Sequence, residues 1–217
     1  SVSGSDDGVY LVATSAGDAS NNAAGGYVYY STNSGASWTA AATPGRSPWS
    51  GSCVFNNNNM VVCSYNGQVY RSGNGGASWT AITSKQQNAS IAGAASTGYA
   101  ILSDIFGNIS LSSDFGTTFT SSGYTTPGKI TAYNYGIKMS GSNALLMRYS
   151  YYGGGESTAI LYSTDSGSNW TLLPGSSLNV GTYGYWIAVG LSTNSYSYGA
   201  ISTLSYAKKI TNFSSFT

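Results

Sequence analysis

The stretch SGNGGASWTA at residues 72–81 repeats, almost letter for letter, the stretch STNSGASWTA at residues 31–40. Two further stretches align with them without gaps: SSDFGTTF from Ser112 and STDSGSNW from Ser163. The four share the pattern Ser-x-Asp/Asn-x-Gly-x-Ser/Thr/Asn-Trp/Phe. Their starts lie roughly 40 to 50 residues apart, a spacing that is typical of chains built from repeated structural units.

Each shared position has a physical role in a folded hairpin loop. The Asp or Asn side chain accepts hydrogen bonds from backbone N–H groups two residues on, which favours a tight turn. The glycine supplies the positive φ that such a turn requires, and the aromatic residue begins the returning strand and buries a large face. The residues concerned are Ser31, Asn33, Gly35, Trp38, Ser72, Asn74, Gly76, Trp79, Ser112, Asp114, Gly116, Phe119, Ser163, Asp165, Gly167 and Trp170.

This pattern resembles the Asp-box, or BNR repeat, of β-propellers such as sialidases, sortilin-type receptors and xyloglucan-active glycoside hydrolases. In that family the box joins the third and fourth strands of each blade and lies on the outside of the propeller. The resemblance rests on four short stretches of this chain, two of which carry Asn where the family prefers Asp. It implies a propeller in which the repeated stretches are structural.

Short strand-like segments flank each repeated stretch. One strand directly precedes it, as in GQVYRS, and another precedes that one, as in MVVCSY; three units show an earlier apolar piece. About four short strands per unit predict an all-β fold, a β-propeller of four-stranded antiparallel blades that forms a single domain over residues 1–217. The segment MRYSYYGGGEST makes the fourth unit longer and predicts a protruding hairpin.

The repeated pattern predicts the kind of fold more directly than it predicts the number of blades. The four repeated stretches account for four blades, and three more strands follow Pro174. We therefore predict five blades, the last of which is completed by N-terminal residues. Four or six blades are the alternatives.

The composition excludes some classes of function. The chain has 8 Lys and Arg, 7 Asp and Glu and no His, and only 7% of its residues are charged, against about 25% in a typical domain. So few cations predict no nucleic-acid partner, and no apolar run reaches the ~20 residues of a membrane span. The 19 Tyr, 6 Phe and 5 Trp argue against disorder.

The two cysteines lie on the two arms of an apparent hairpin, SCVFNNNNMVVC. If the turn runs through 56–59 and Phe55 faces Val61, Cys53 faces Cys63 at a distance that allows a disulfide. Such a bridge indicates an oxidising compartment. The alternative is two buried free thiols.

Four N-x-S/T sequons favour a glycosylated protein. Since a chain rich in Asn, Ser and Thr contains some sequons by chance, the prediction depends on the four together. An opening SVSGSDDG without a targeting peptide is typical of a processed, mature chain, and we predict a secreted, extracellular location. The predicted glycosylation sites are Asn88, Asn108, Asn169 and Asn212.

The resemblance to sialidases raises the question of catalysis, and the residues argue against it. Sialidases use an arginine triad, a Tyr/Glu nucleophile pair and an acid/base Asp, whereas this chain has three arginines in all: Arg46, Arg71 and Arg148. Arg71 directly precedes a repeated stretch, on a strand that leads away from a central pocket. The only glutamate, Glu156, is interpreted as a solvated charge of the protruding hairpin.

Other hydrolytic chemistry lacks an evident pair of carboxylates, which glycosidases place on either side of the scissile bond. Asp104 is interpreted as a turn residue, and the absence of histidine removes the commonest general base and zinc ligand. Asp6, Asp7 and Asp18 could supply calcium ligands, but ordinary loop acids are the favoured interpretation. We predict no catalytic residue, no cofactor and no metal site.

Aromatic residues in the C-terminal third are the candidates for binding. The clusters YNYG at 133–136, RYSYYGGG at 148–155, YGYW at 183–186 and SYSYG at 195–199 offer flat faces and hydroxyls that suit sugars and protein contacts. The alternative is that these tyrosines cover the faces of sheets. The candidate binding residues are Tyr149, Tyr151, Tyr152, Tyr183, Tyr185 and Trp186.

The sequence therefore predicts a secreted, non-enzymatic protein that acts as a structural or adhesive subunit of an extracellular assembly, such as a surface filament or coat. The predicted partners are other protein subunits, including copies of the same chain in a homo-oligomer or filament, or glycans, attached or bound. A lectin-like carbohydrate-binding module is the alternative. A glycoside hydrolase of sialidase or xyloglucanase type is disfavoured.

Overall fold

The structure is a computed structural model of the chain. It describes residues 1–17, 25–82, 88–104, 106–125, 132–152, 155–172, 178–179, 187–189, 199–203, 206–212 and 215–216. Side chains are described in residues 1–17, 25–82, 90–104, 106–124, 136–146 and 160–172.

The described strands form five antiparallel sheets that follow one another along the chain. The first sheet contains β1 (Val2–Gly4), β2 (Leu11–Thr14), β3 (Val28–Ser31) and β4 (Thr39–Ala40). The second contains β5 (Trp49–Val54), β6 (Met60–Ser64), β7 (Val69–Ser72) and β8 (Thr80–Ile82), and the third contains β9 (Asn88–Gly93), β10 (Ala100–Asp104), β11 (Asn108–Ser112) and β12 (Thr120–Thr125). The fourth contains β13 (Ala132–Ser140), β14 (Asn143–Tyr152), β15 (Gly155–Ser163), β16 (Thr171–Leu172) and β17 (Leu178–Asn179), and the fifth contains β18 (Ile187–Val189), β19 (Gly199–Thr203), β20 (Tyr206–Asn212) and β21 (Ser215–Phe216).

Four of these sheets have the four strands that the sequence predicts, in the order in which they occur along the chain. The fourth sheet differs, because β17 pairs with β15 beside β16. Its β14–β15 hairpin is the long one that the sequence predicts, paired as far as Tyr152 and Gly155. Since β16 pairs only with Leu161 and Tyr162, the outer part of β15 is left for β17, which pairs at Ser157 and Thr158.

The expectation that N-terminal residues complete the last sheet is wrong. Val2 pairs with Ala13 in the first sheet, and the fifth sheet takes its four strands from residues 187–216. A tight turn explains the local pairing, since the backbone N–H of Gly8 donates to the carbonyl of Ser5 at 2.9 Å. Closing so short a loop costs less conformational entropy than bringing the two ends of the chain together.

Three clusters of buried side chains fill the spaces between the first four sheets. Strand β6 shows why: all five of its residues are buried, with Met60 and Val62 packed toward the first sheet and Val61 and Cys63 toward the third. Alternate residues of a strand point to opposite faces of its sheet. A strand buried on both faces therefore reads as a continuous apolar run rather than an alternating one.

The first strand of each sheet contacts the first strand of the next, in the series β1, β5, β9, β13 and β18. The repeated stretches of the sequence, residues 31–38, 72–79, 112–119 and 163–170, join the third and fourth strands of the first four sheets. We call them the first to fourth loops. They lie at the opposite side of each sheet from the row of first strands.

The predicted disulfide is wrong: Cys53 and Cys63 are buried free thiols. The turn spans Phe55 to Asn59 and closes at the pair Val54–Met60, so that Cys53 lies opposite Val61 and Cys63 opposite Gly51. The two cysteines share one face of the sheet, as predicted, but they are diagonal neighbours in the ladder rather than a facing pair. The sequence pattern sets the face, whereas the length of the turn sets the register.

Both thiols should be unreactive in the folded protein. Burial raises the pKa of Cys63 to about 12, and burial together with the nearby Cys63 raises the pKa of Cys53, while the thiolate is the reactive form. We expect a thiol reagent at pH 8 to modify neither cysteine in the native protein within minutes and both in denaturant. Absence of free thiols in denaturant without reductant would show that the chain is oxidised instead.

Candidate functional site

A buried serine organises each of the four loops. In the second loop the Ser72 hydroxyl donates to Oδ1 of Asn74 at 3.0 Å and accepts the backbone N–H of Gly76 at 2.9 Å. Oδ1 of Asn74 also accepts the backbone N–H of Ser78 at 2.9 Å. The same bonds recur in the other three loops, whose serines, like Ser72, are at most 3% exposed. The loops thus satisfy their own polar groups and act as structural turns.

The Asn and Asp versions of the loop differ in one hydrogen bond. In the first loop Nδ2 of Asn33 donates to the Ser37 hydroxyl at 2.8 Å, and the second loop has the same bond. In the third loop the direction is reversed, since Oδ2 of Asp114 accepts from the Thr118 hydroxyl at 2.7 Å. A hydroxyl can donate or accept, so the turn tolerates either residue.

The hydrogen bonds within the third and fourth loops lower the pKa of the aspartate in each loop. Burial by itself raises the pKa of Asp114, but hydrogen bonds from Thr118 and Ser112 outweigh it, and the net result is a pKa below the ordinary value of 3.8. The pKa of Asp165 is lowered in the same way, against burial, by bonds from Asn169 and Ser163. Both carboxylates are therefore held ionised as turn acceptors.

These lowered pKa values predict acid sensitivity in two of the four loops. A carboxyl with a lower pKa in the folded state stabilises the protein above pH 3.8, and that contribution is lost as the pH falls through the folded-state pKa. We expect the double variant Asp114→Asn/Asp165→Asn to lose less stability than wild type between pH 7 and pH 3, measured by urea unfolding. The matched control, Asn33→Asp/Asn74→Asp, should lose more than wild type, and the idea fails if all three proteins respond alike.

A second residue of each loop has left-handed backbone besides the shared glycine. Ser34, Phe115 and Ser166 have φ of 58°, 58° and 59°, and the second loop has Gly75 at the equivalent position. The sequence pattern predicted positive φ only at the shared glycine. The glycine pair of the second loop was the signal that could have revealed the other position.

Three further charged side chains, Asp104, Arg71 and Arg46, are also held within the scaffold. Both carboxylate oxygens of Asp104 accept hydrogen bonds inside its turn, from the backbone of Phe106 and Asn108 and from Nδ2 of Asn108, which confirms it as a turn residue. Nε of Arg71 donates to the carbonyl of Phe115 at 3.0 Å, and Nε of Arg46 donates to that of Gly25 at 3.1 Å.

The other acidic candidates are placed as follows. Oδ1 of Asp7 accepts the hydroxyl of Ser5 and the backbone N–H of Val9, and Oδ2 of Asp6 accepts Nδ2 of Asn56 at 2.9 Å. Asp18 lies outside the described residues, as do the side chains of Glu156 and Arg148. Within the described part of the chain, no three potential metal ligands converge.

Two of the four sequons have described side chains. Asn108 and Asn169 are exposed, but Nδ2 of each, the atom to which a glycan would be attached, donates to an aspartate of the same turn at 2.7 Å. The side chains of Asn88 and Asn212 lie outside the described set. Glycosylation stays a prediction, and at Asn169 a glycan would compete with the fourth loop for this nitrogen.

The aromatic candidates of the C-terminal third fall outside the described side chains. Tyr149, Tyr151 and Tyr152 lie on β14, in a part whose side chains the structure does not describe, and Tyr183, Tyr185 and Trp186 lie outside the described residues. Their role in binding stays a prediction.

The structure reveals instead an exposed aromatic surface on the first sheet. Tyr27, Tyr29 and Trp38 are 41%, 39% and 42% exposed. The rings of Tyr27 and Tyr29 meet edge to face at 6.4 Å, and the Arg46 guanidinium lies over the Tyr27 ring at 5.2 Å. Tyrosines two residues apart in GGYVYY were the available signal, because alternate residues of a strand share a face.

Two cavities are further candidates for a binding site. One, of about 250 Å³, lies among the first strands of sheets one to four and is lined by residues that include Ser3, Ser52, Ser140 and the charged Asp6 and Lys138. The other, of about 420 Å³, lies between the third sheet and the fourth loop. It is lined by Tyr99, Leu111, Ser112, Ser113, Thr120, Asp165, Ser166 and Ser168.

No protein-family profile matches the chain, and no curated protein matches its sequence. Among solved structures, it is similar to the GH74 enzyme of Niastella koreensis, with a TM-score of 0.65 and 20% identity over 100% of this chain and 30% of the enzyme. It is also similar to the GH74 xyloglucanase of Xanthomonas campestris, with a TM-score of 0.64 and 12% identity over 100% of this chain and 37% of that one. The chain has the β-propeller fold.

A third similar structure is YCF48 from Cyanidioschyzon merolae, with a TM-score of 0.55 and 14% identity over 81% of this chain and 58% of that one. Among the described sheets, four are four-stranded antiparallel blades of this propeller rather than the predicted five, because the fourth sheet along the chain contains a fifth strand. The chain spans about a third of the length of the two GH74 proteins. Among the residues that the structure describes, no helix is long and apolar enough to cross a membrane.

Proposed function

We propose that this propeller is a secreted, non-enzymatic subunit of an extracellular assembly, in which it acts by binding rather than by chemistry. The four loops are taken as Asp-boxes. The observation that carries the proposal is the aromatic surface of the first sheet, where Tyr27, Tyr29 and Trp38 lie exposed on a rigid blade. Aromatic side chains with few rotatable bonds contribute much contact area at low entropic cost, and they are enriched in interfaces.

The hydrogen bonds made by charged side chains in the described sheets support the same proposal. Asp104, Asp114 and Asp165 hold turns together, and Arg46 and Arg71 bond to backbone carbonyls. Side chains engaged in this way are poorly suited to protonate a leaving group or to clamp a substrate carboxylate. A net charge of +1 also leaves little repulsion between copies at high local concentration.

The proposal is tested by the native mass of the protein. Regular polymers in electron micrographs, or oligomers that grow with concentration in sedimentation velocity, would support an assembly subunit. A monomer that is retained on a glycan array would favour the lectin instead. Hydrolysis of a polysaccharide, lost in Glu156→Gln or Asp104→Asn, would overturn the non-enzymatic proposal.

A carbohydrate-binding module is the second candidate function. The cavity of about 420 Å³ between the third sheet and the fourth loop favours it. Tyr99, which is 40% exposed, lines this cavity together with Ser113, Thr120 and Ser168. A tyrosine face with neighbouring hydroxyls suits a sugar ring, which needs both stacking and hydrogen bonds. The likeness to a xyloglucanase agrees with a glycan as ligand, and Tyr99→Ala should then abolish retention on the array.

A further inference from the structure

Each of the second to fourth loops packs against the sheet that precedes it. We call these contacts the first, second and third junctions, in chain order. The cavity of about 420 Å³ lies at the third junction, between the third sheet and the fourth loop. The residue directly before the loop serine is Tyr30 in the first sheet, Arg71 in the second and Leu111 in the third. These three side chains explain why the third junction is open.

Two tyrosine rings fill the first junction. A Cβ atom added to Gly76 of the second loop would lie 2.3 Å from Cγ of Tyr30. One added to Gly75 would lie 3.2 Å from Cε1 of Tyr10, which directly precedes Leu11, the strand residue that pairs with the loop serine of the first sheet. The side chains of the first sheet therefore reach the backbone of the next loop and occupy the space in front of it.

A guanidinium group fills the second junction. Nε of Arg71 donates to the carbonyl of Phe115 in the third loop at 3.0 Å, and Nη2 donates to Oδ1 of Asn59. Asn59 is the counterpart of Tyr10, since it directly precedes the strand residue that pairs with the loop serine. The chain's own cation is thus held between a loop carbonyl and an oxygen of the preceding sheet.

The third junction has smaller side chains at two of the corresponding positions. Leu111 takes the place of Arg71, and Ser166 takes the place of Phe115. Tyr99, which directly precedes the strand residue that pairs with the loop serine, is 40% exposed. Because Leu111 and Ser166 are short, the volume that Arg71 fills at the second junction stays a cavity here. Its volume is within the range of about 300–1,000 Å³ that is typical of ligand pockets.

The groups that hold Arg71 at the second junction have counterparts around this cavity. The third and fourth loops share their hydrogen bonds and a φ of 58° or 59° at Phe115 and Ser166, so the carbonyl of Ser166, which lines the cavity, should point as that of Phe115 does. Asp165 also lines the cavity, and its lowered pKa keeps the carboxylate ionised. The ring of Tyr99 offers a face that attracts cations. Among the described residues that line the cavity, Asp165 is the only charged one, so a cation is favoured over an anion.

We propose that this cavity binds a guanidinium group of a separate molecule, in the place that Arg71 occupies at the second junction. The group belongs either to a small guanidinium compound or to an arginine side chain of a partner. The inference goes beyond the proposed function and does not depend on it, because a module that works as a monomer would have the same site. A neutral sugar, the ligand of the carbohydrate-binding candidate, is the competing ligand for the cavity.

Titration of the isotope-labelled full chain, followed by NMR, tests the proposal. The probe is N-acetylarginine amide, and the matched ligand is N-acetylcitrulline amide, which has nearly the same shape but no charge. We expect the arginine probe to shift amide signals of residues 111–113 and 163–168. Its affinity should exceed that of the citrulline compound by about tenfold or more, because hydrogen bonds between charged groups are the stronger ones.

Three results would overturn the proposal: no shifts with the arginine probe, equal affinities of the two compounds, or shifts with a neutral glucan oligosaccharide alone. The last of these would favour the carbohydrate-binding candidate instead. A third probe, methylguanidinium, distinguishes the two sources of the group. If it binds as tightly as the arginine probe, the ligand is a small compound, and if it binds more weakly, the ligand is an arginine side chain.

Asp165→Asn removes the charge of the cavity without breaking the fourth loop. Asn33 and Asn74 hold the same position in the first and second loops and accept the same backbone N–H, so the variant should fold. Its affinity for the arginine probe should fall about tenfold, in keeping with the loss of a hydrogen bond to a charged group. The matched control, Asp114→Asn, changes the same position of the third loop, which is not among the described residues that line the cavity. It should bind as wild type does, and equal affinities of the two variants would contradict the proposal.

Leu111→Arg should fill the cavity with a guanidinium group of the chain itself, as Arg71 does at the second junction, and so abolish binding of the arginine probe. Leu111→Met, which keeps the size of the side chain and adds no charge, should still bind it. If Leu111→Arg binds the probe as well as wild type does, the cavity is not the counterpart of the second junction and the proposal fails. If Leu111→Arg does not fold, the two aspartate variants decide. The assembly function is measured separately, by sedimentation, so either proposal can fail while the other stands.

Discussion

Replacing Trp79 with alanine should lower the free energy of unfolding by about 3–5 kcal/mol, the range for removing a buried aromatic side chain. Trp79 is 8% exposed, it fills the space between the first and second sheets, and its Nε1 donates to the carbonyl of Gly76 at 2.9 Å. The alanine variant loses this packing and leaves the carbonyl of Gly76 without its donor. Urea unfolding followed by circular dichroism measures the change.

The same substitution at Trp38 is the matched control. Trp38 occupies the same position in the first loop but is 42% exposed, so its loss should cost only about 1 kcal/mol, in keeping with a partly buried side chain. Both variants are measured below the concentration at which copies associate. Equal losses at the two positions would show that the preceding sheet does not cover the second loop.

Replacing Gly76 with alanine should be the second most damaging change, with a loss in the free energy of unfolding of about 2–5 kcal/mol. Gly76 has a φ of 97°, which costs an L-residue about 1–2 kcal/mol. The added methyl group would also lie 2.3 Å from Cγ of Tyr30, and overpacking of this kind costs about 1–3 kcal/mol more. The loss should appear in the urea midpoint at an unchanged slope.

Gly35→Ala separates the two contributions. Gly35 has a φ of 82°, but the nearest atom to an added methyl group is Cδ1 of Leu11 at 3.3 Å. It should therefore incur the backbone cost alone, about 1–2 kcal/mol. If Gly76→Ala is no more destabilising than Gly35→Ala, the steric contact between the second loop and the first sheet is not important for stability.

The four loops could be predicted from the sequence because every partner in them is local. Ser72, Asn74 and Gly76 satisfy one another within a few residues, so their spacing alone determines which bonds can form. The strands on either side could also be predicted, because the apolar residues of each short segment are themselves a local pattern and indicated four strands per unit. The turn role of Asp104 followed for the same reason, because its acceptors serve N–H groups two and four residues on.

The tertiary structure decided whatever depends on register or on a neighbouring sheet. Cys53 lies opposite Val61 rather than Cys63 because the turn is centred one residue earlier in the chain than expected, at Asn57 rather than Asn58, and such a shift moves every pair in the ladder. Trp38 and Trp79 have nearly identical sequence surroundings, yet Trp38 is 42% exposed and Trp79 is 8% exposed, because Trp79 packs against side chains of the preceding sheet. Local sequence determined the shape of each blade, and the order of the blades along the chain decided which of its surfaces meets a neighbour.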